Sequence, residues 1–495
     1  MRFKVKKLNI SGGSHLIVVM NEVTAGLEGV HASSRVKLSN HKKSIISVVD
    51  IADKEVLGRY ELGLFDEVVE ALGVKAGDEI EVNPVSQPPS VNYIKKKLDG
   101  LELRPNEIKE IIGDVVSNEL SQVEMSAFVT ATYTRELTMD ETYHLTKSVI
   151  ETGHKVSFGK GIIADKHCVG GISGNRTTLI IIPIIASLGL KIPKTSSRSI
   201  TSPAGTADTM EVLAPVELSL KKIKKVVKKA GGCVVWGGAM NLAAADDKLI
   251  SVRHPLALDP LGLMLASIMA KKKAAGSTHV IIDIPLGKGA KTKSIGEAKY
   301  LGRQFEELGQ RLGMKIKVLI TDGNKPIGKG IGPVLEARDV LWILERDSRG
   351  PVDLREKSLY LAGELLELTG KANPGEGLGM ATRALDSGAA LKKFKEIIKL
   401  QGGKPVSPDK LEPGKHSFEV KAPRGGIIRL INDDLISRIA RRAGAPVDKG
   451  AGIYLYKNVD DYVEKEGVVM TIYAENKRLL KEASKLVSED LFKIK

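Results

Sequence analysis

Four short segments of this 495-residue chain concentrate the residue types that hold anions or move protons. The first, Asp165-Lys166-His167-Cys168-Val169-Gly170-Gly171-Ile172-Ser173-Gly174-Asn175-Arg176-Thr177-Thr178, runs straight into the apolar stretch beginning at Leu179. Its glycines let backbone amides approach an anion, the next helix N-terminus adds partial positive charge, and Lys166, Thr177 and Thr178 supply side-chain donors. That is the composition of a phosphate cradle; a plain strand-to-helix turn with an exposed lysine is the alternative. His167 alone reads as structural. The second segment, Thr195 to Glu211, places five hydroxyls and Arg198 within seven residues and then Gly205-Thr206 ahead of a helix. Such a set suits several oxyanion contacts without a metal, although a serine-rich loop in isolation is as readily a solvated one.

The third segment is Arg253-His254-Pro255-Leu256-Ala257-Leu258-Asp259-Pro260, leading into a helix that carries Ser267 and Lys271. A spacing of four puts that hydroxyl and ammonium on one helical face, where both can meet one planar ligand. Asp259 ahead of Pro260 is equally a helix cap, and a carboxyl at such a junction is also where an acid catalyst would sit. The fourth segment, Asp283 to Lys293, ends a strand in Gly287-Lys288-Gly289-Ala290-Lys291, a turn able to bind phosphate through backbone and ammonium groups. A lone Gly-x-Gly is weak by itself, and solvated lysines are the default.

These segments need a scaffold. At about 150 residues per domain the chain divides into roughly three. Residues 1–84 alternate in short runs such as Leu16–Met20 and Ser44–Val49 and read as a small β-rich barrel, with Leu64–Val74 as a helix stopped at Gly73. Pro84, Pro88 and Pro89 mark a linker. Residues 91–153 are helical, with starts at Arg104-Pro105 and at Thr138-Met139-Asp140-Glu141, and helices around 176–215 are expected to join this lobe. Over 154–401, candidate strands at 155–158, 234–236, 280–284 and 317–320 alternate with helices, which predicts an α/β lobe with ligands at the carboxyl ends of its strands. Residues 415–495 read as a C-terminal α+β domain.

Lysine and arginine total 75 against 60 acids, a net charge of +15 that invites a nucleic-acid partner. Aromatics at only 4% and lysines spread along the chain argue against one, because a binding face needs clustered cations and stacking rings. Cys168 and Cys233 are too few for a disulfide framework, Met1–Lys7 has no apolar run behind it, and Leu179–Leu190 is too short to span a bilayer. A cytoplasmic protein without membrane association is expected, with Leu179–Leu190 as a buried core helix. No His/Cys/Asp cluster has metal-ligand spacing, so neither a metal nor a cofactor is expected.

In this order and at these separations, the four segments resemble the thymidine/pyrimidine-nucleoside phosphorylase family over roughly residues 91–495, and most closely its archaeal branch, which acts on AMP and other nucleoside monophosphates. Lys166-His167 with Gly170-Gly171 sits where the family has Lys-His-Ser-x-Gly-Gly. Ser196, Arg198, Gly205, Thr206, Asp208 and Glu211 follow its Ser-Gly-Arg-Gly-Leu-x-x-Thr-Gly-Gly-Thr-x-Asp-x-x-Glu signature. Arg253, Ser267 and Lys271 look like its base-recognition set, one residue short between Arg253 and Ser267. The departures bear on substrate. Cys168 replaces a phosphate-binding serine, Ser197, Ser199 and Thr201 replace glycines, and Lys291 replaces an apolar residue. A second phosphate, the 5′-phosphate of a nucleotide, would explain the added donors and charge. The barrel before residue 84 is similar to the extra N-terminal domain of the archaeal branch.

The resemblance implies the phosphorylase fold and phosphorolysis of AMP, CMP or UMP by inorganic phosphate, a substrate and not a cofactor. It implies Asp259 as proton donor, with the apolar run from Pro260 favouring the protonated carboxyl. Gly171, Ser197, Arg198, Ser199, Ile200, Thr201, Ser202, Thr206, Ser267 and Lys291 would contact the nucleotide, with Lys166 and Ser196 nearer inorganic phosphate. A homodimer or larger homo-oligomer is implied through the helical region. The alternatives are an ordinary pyrimidine-nucleoside phosphorylase and, more distantly, anthranilate phosphoribosyltransferase-like chemistry, whose Gly-Asp-Gly-Gly pattern has no matching form here.

Overall fold

The computed structural model describes residues 1–13, 15–41, 43–199, 202–240 and 242–495. Its chain divides into two compact units, Met1–Gly153 with Ala243–Ile268, and His154–Leu242 with Met269–Lys495.

The first unit opens with six strands closed into a barrel, in the order Arg2–Lys7, Glu61–Leu64, Ile17–Asn21, Ser44–Ala52, Arg35–Ser39, Glu79–Pro84. Alternation closes it: Phe3, Val5, Ile80 and Val82 point inward while their strand neighbours are exposed, and Val18, Met20, Leu38 and Leu62 fill the interior. The helix Asp66–Leu72 stops at Gly73, whose φ of 68° is a left-handed cap. Helices Ser90–Leu98, Pro105–Ser117, Gln122–Thr134 and Met139–Thr152 follow. Glu141 closes the capping box on Thr138 and, fully buried, takes the Lys97 ammonium at 2.8 Å. Burying a carboxylate is tolerable only with such a partner.

Helix Ala244–Arg253 completes this bundle, anchored by Lys248, which donates to the carbonyls of Val115 and Val116. The expectation that helices around 176–215 join the helical lobe is therefore corrected. Helix Thr177–Ser187 is buried from Thr177 to Ala186 in the core of the second unit, because a helix apolar on every side must be enclosed.

The second unit is built on parallel strands. His279–Leu286 pairs with Ala164–Cys168 on one side and Lys315–Asp322 on the other, Ile192–Ser196 pairs with Gly232–Trp236, and a parallel bridge between Ile163 and Lys191 links the two sets. All five strands thus end at one edge, where the loops after Cys168, Ser196 and Leu286 emerge. Residues 155–158 form no strand: Val156 instead donates its amide to Ala274 and packs into a side cluster with Ile223 and Val235.

The C-terminal part carries antiparallel strands and the helices Asp433–Arg442 and Lys477–Ser484. It is not free-standing. Its strand Gly452–Leu455 pairs with Gly330–Ile331 of the preceding region, so one sheet spans both.

Candidate functional site

The strand-end loops touch. Gly171 has φ 101°, and a Cβ there would stand 2.6 Å from the Lys291 amide nitrogen, so the first and fourth segments meet backbone to backbone where only glycine fits. Gly205 is equally closed in: its Cβ would lie 2.7 Å from the Ser197 carbonyl. Arg176 joins the first loop to the second, donating to the Ala204 carbonyl at 2.5 Å and to Thr206 Oγ1 at 3.4 Å while pairing with buried Glu336. Burial raises the Glu336 carboxyl, with Arg176 opposing. Gly171, Ser197 and Lys291 are exposed at this edge, and Ser196, Arg198, Ser199, Ser202 and Thr206 are partly so. The backbone and hydroxyl donors expected in the sequence are thus brought together in the second unit. Ile200 and Thr201 lie outside the described residues.

Beneath the first loop is a buried layer of charge. Lys166 donates to Thr177 Oγ1 at 3.0 Å and stands 3.3 Å from Asp283, which Lys357 approaches at 3.5 Å. One residue back, Asp165 takes Lys272 at 2.7 Å and Lys194 at 3.6 Å. Burial raises both aspartates, but the lysines overcome it: Lys194 and Lys272 hold Asp165, and Lys166 and Lys357 hold Asp283, below the ordinary carboxylate value. Four lysines against two aspartates leave positive charge under the glycine turn, the sign an incoming phosphate needs. Burial first, and then Lys272, Lys194, Lys166 and Lys271, keep His167 well below its usual value and so neutral. Cys168 accepts from Asn175 Nδ2 at 3.3 Å, and burial raises its thiol, which stays protonated.

The second loop is held by ion pairs. Arg198 makes a fork to Glu211 at 2.6 and 2.7 Å, reaches Asp208 and Glu217, and lies over the Trp236 ring. Asp208 accepts the amides of Ser199 and Gly205 at 2.7 and 2.8 Å. Arg198, expected on the nucleotide, is here bound to its own protein, and Lys449 adds a second cation to Glu211 at 2.9 Å.

Asp259 and Ser267 belong to the first unit. The apolar surround expected for Asp259 is not what its carboxyl meets: it is 43% exposed and takes the Arg253 guanidinium at 2.7 Å. Ser267 is buried and donates to Asp246 at 2.7 Å. The sequence reading missed Lys194, Lys272, Lys357 and Glu336; the last three stand among other charged residues on their helices, and none carries a local signal.

The chain matches the glycosyl transferase family over its helical bundle domain at residues 91–153 and its a/b domain at 160–391, and a pyrimidine nucleoside phosphorylase C-terminal domain at 427–492. A Methanococcoides burtonii protein named AMP phosphorylase is 44% identical over 490 residues, 99% of this chain and 96% of its own. A Legionella pneumophila relative, 44% identical over 488 residues (98% and 94%), carries a provisional thymidine phosphorylase name. The crystal structure of anthranilate phosphoribosyltransferase from Thermus thermophilus shares the fold at a TM-score of 0.53, with 17% identity, over 62% of this chain and 98% of its own. With near-full-length identity of this order, the chain belongs to the glycosyl transferase family that contains the thymidine/pyrimidine-nucleoside and AMP phosphorylases.

Proposed function

We propose that the chain is an AMP phosphorylase, a pentosyltransferase. An oxygen of inorganic phosphate bonds to C1′ of a nucleoside 5′-monophosphate, the C1′–N bond breaks with its electron pair leaving on the base, and the base takes up a proton. The products are free base and ribose 1,5-bisphosphate. AMP, CMP and UMP are the proposed substrates. The observation that carries this reading is the meeting of three donor-rich loops at one sheet edge, over buried lysines, in a chain whose near-full-length relative bears that name.

In this reading little covalent chemistry falls to the protein, whose task is to hold two anions together, steady the cationic sugar and protonate the base. Lys166 and Ser196 serve inorganic phosphate. Gly171, Ser197, Arg198, Ser199, Ile200, Thr201, Ser202, Thr206, Ser267 and Lys291 serve the nucleotide, and Asp259 gives the proton. Neither metal nor cofactor takes part. The enzyme works as a homodimer or larger homo-oligomer in the cytoplasm, which light scattering on the full chain and cell fractionation check.

The test is phosphate-dependent release of adenine from AMP, with the sugar product identified. Asp259→Asn retaining near-normal turnover would remove the proton-donor assignment. The thymidine phosphorylase name of one relative keeps a nucleoside substrate as the second reading, and turnover of uridine equal to that of UMP would favour it.

A further inference from the structure

We propose that Asp433 is a positioning residue for the phosphate loop: supplied by the C-terminal part, its carboxyl fixes Ser173 and thereby the amides of Gly170 and Gly171. The inference rests on the function proposed above. Its two oxygens stand 3.2 and 3.3 Å from the Ser173 amide nitrogen, across 260 residues of sequence. Asp433 also packs on the fourth segment, where a Cβ on Gly289 would come within 3.0 Å of its own Cβ. It therefore sits against both loops that meet at Gly171 and Lys291.

Asp433 is not required by its own helix. The helix Asp433–Arg442 is capped by Asn432, whose side chain accepts the Leu435 amide at 3.1 Å, and neighbouring Asp434 remains exposed in the same first turn, where an acid suits the helix dipole. Asp433 alone is turned inward and is only 5% exposed. Burial raises its carboxyl to about 7, a cost that an apolar residue at this position would not carry. The C-terminal part that carries it is tied to the preceding region by backbone pairing and an ion pair. Strand Gly452–Leu455 is paired to Gly330–Ile331, Lys449 accepts the Val334 amide at 3.1 Å, and its ammonium reaches Glu211 on the helix after the second loop.

The full-length chain is tested as wild type, Asp433→Ala, Asp433→Asn and, as control, Asp434→Asn. Steady-state release of adenine gives KM for phosphate and for AMP separately, and amide hydrogen exchange reads residues 169–176 directly. In Asp433→Ala the phosphate KM is expected to rise about tenfold, with a smaller change in the AMP KM and faster exchange confined to that loop. Asparagine keeps an acceptor for Ser173 and should return the phosphate KM to within about threefold of wild type, and the control should match wild type. If Asp433→Ala does not fold, Asp433→Ser, too short to reach Ser173, takes its place. An unchanged phosphate KM with unchanged exchange overturns the inference, as does an equal loss in both KM values and kcat. Absence of phosphorolysis in the wild type overturns the functional reading instead, and the exchange data still decide whether Asp433 orders the loop.

Discussion

The two loops after Cys168 and Ser196 leave neighbouring strands for the same edge and are held by different physics. The first is held by stereochemistry: Gly170, Gly171 and Gly174 all have positive φ, and Gly171 and Gly174 lie against backbone atoms where no side chain fits. The second is held by charge, with Arg198 spread over Glu211, Asp208 and Glu217 near the surface. A loop closed in by neighbouring backbone and braced at Ser173 by Asp433 has little to exchange with a ligand. A loop fixed by exchangeable ion pairs can trade them for a ligand, and Arg198 is the group with most to trade. The glycine loop is thus the fixed side of this edge, and the serine loop the adjustable one.

Gly171→Ala tests the rigid side and carries the largest expected effect. A Cβ at φ 101°, 2.6 Å from the Lys291 nitrogen, must drive the loops apart, and a displacement near 1 Å is worth roughly a hundredfold in rate. Turnover within threefold of wild type at saturating AMP would show that the loops need not meet. Arg198→Ala tests the adjustable side. About a tenfold loss in kcat/KM for AMP and about 1–2 kcal/mol of stability are expected, and Arg198→Lys should recover little, because one ammonium cannot reproduce a two-pronged contact.

Smaller effects appear in pH dependence, with opposite signs at the two loops. Arg198 first, and Lys449 after it, lower Glu211 to about 2, so its contribution is complete above its ordinary 4.5 and is lost as pH falls towards 2. Asp433, raised to about 7, contributes fully below its ordinary 3.8 and loses that contribution as pH rises to 7. Melting curves of Glu211→Gln should therefore approach wild type on acidification below 4.5. Those of Asp433→Asn should gain on wild type between pH 4 and 7. Cys168→Ser closes the series: it keeps an acceptor for Asn175 Nδ2 and should change turnover by no more than about twofold.

What the sequence revealed was local. The caps at Thr138 and Gly73, the alternation of the barrel strands and the all-apolar helix after Thr177 each depend on residues a few positions apart, and each stands where its pattern puts it. The glycine- and hydroxyl-rich turns were legible for the same reason. Lys194, Lys272 and Lys357 converge from a strand and two helices far apart in the chain, and no spacing announces that they share Asp165 and Asp283. Asp259 was misjudged in its surroundings because Pro260 and Leu261 next to it say nothing about Arg253 reaching over from the preceding helix.

The buried lysine layer would couple the proposed anion binding to proton uptake. Burial pushes Lys194 well below the usual lysine range, with Asp165 pulling the other way and Lys272 adding repulsion. An anion bound above this layer, as proposed, would favour the protonated form of Lys194. Binding of phosphate should then draw protons from the buffer, and isothermal calorimetry in buffers of differing ionisation heat would count them.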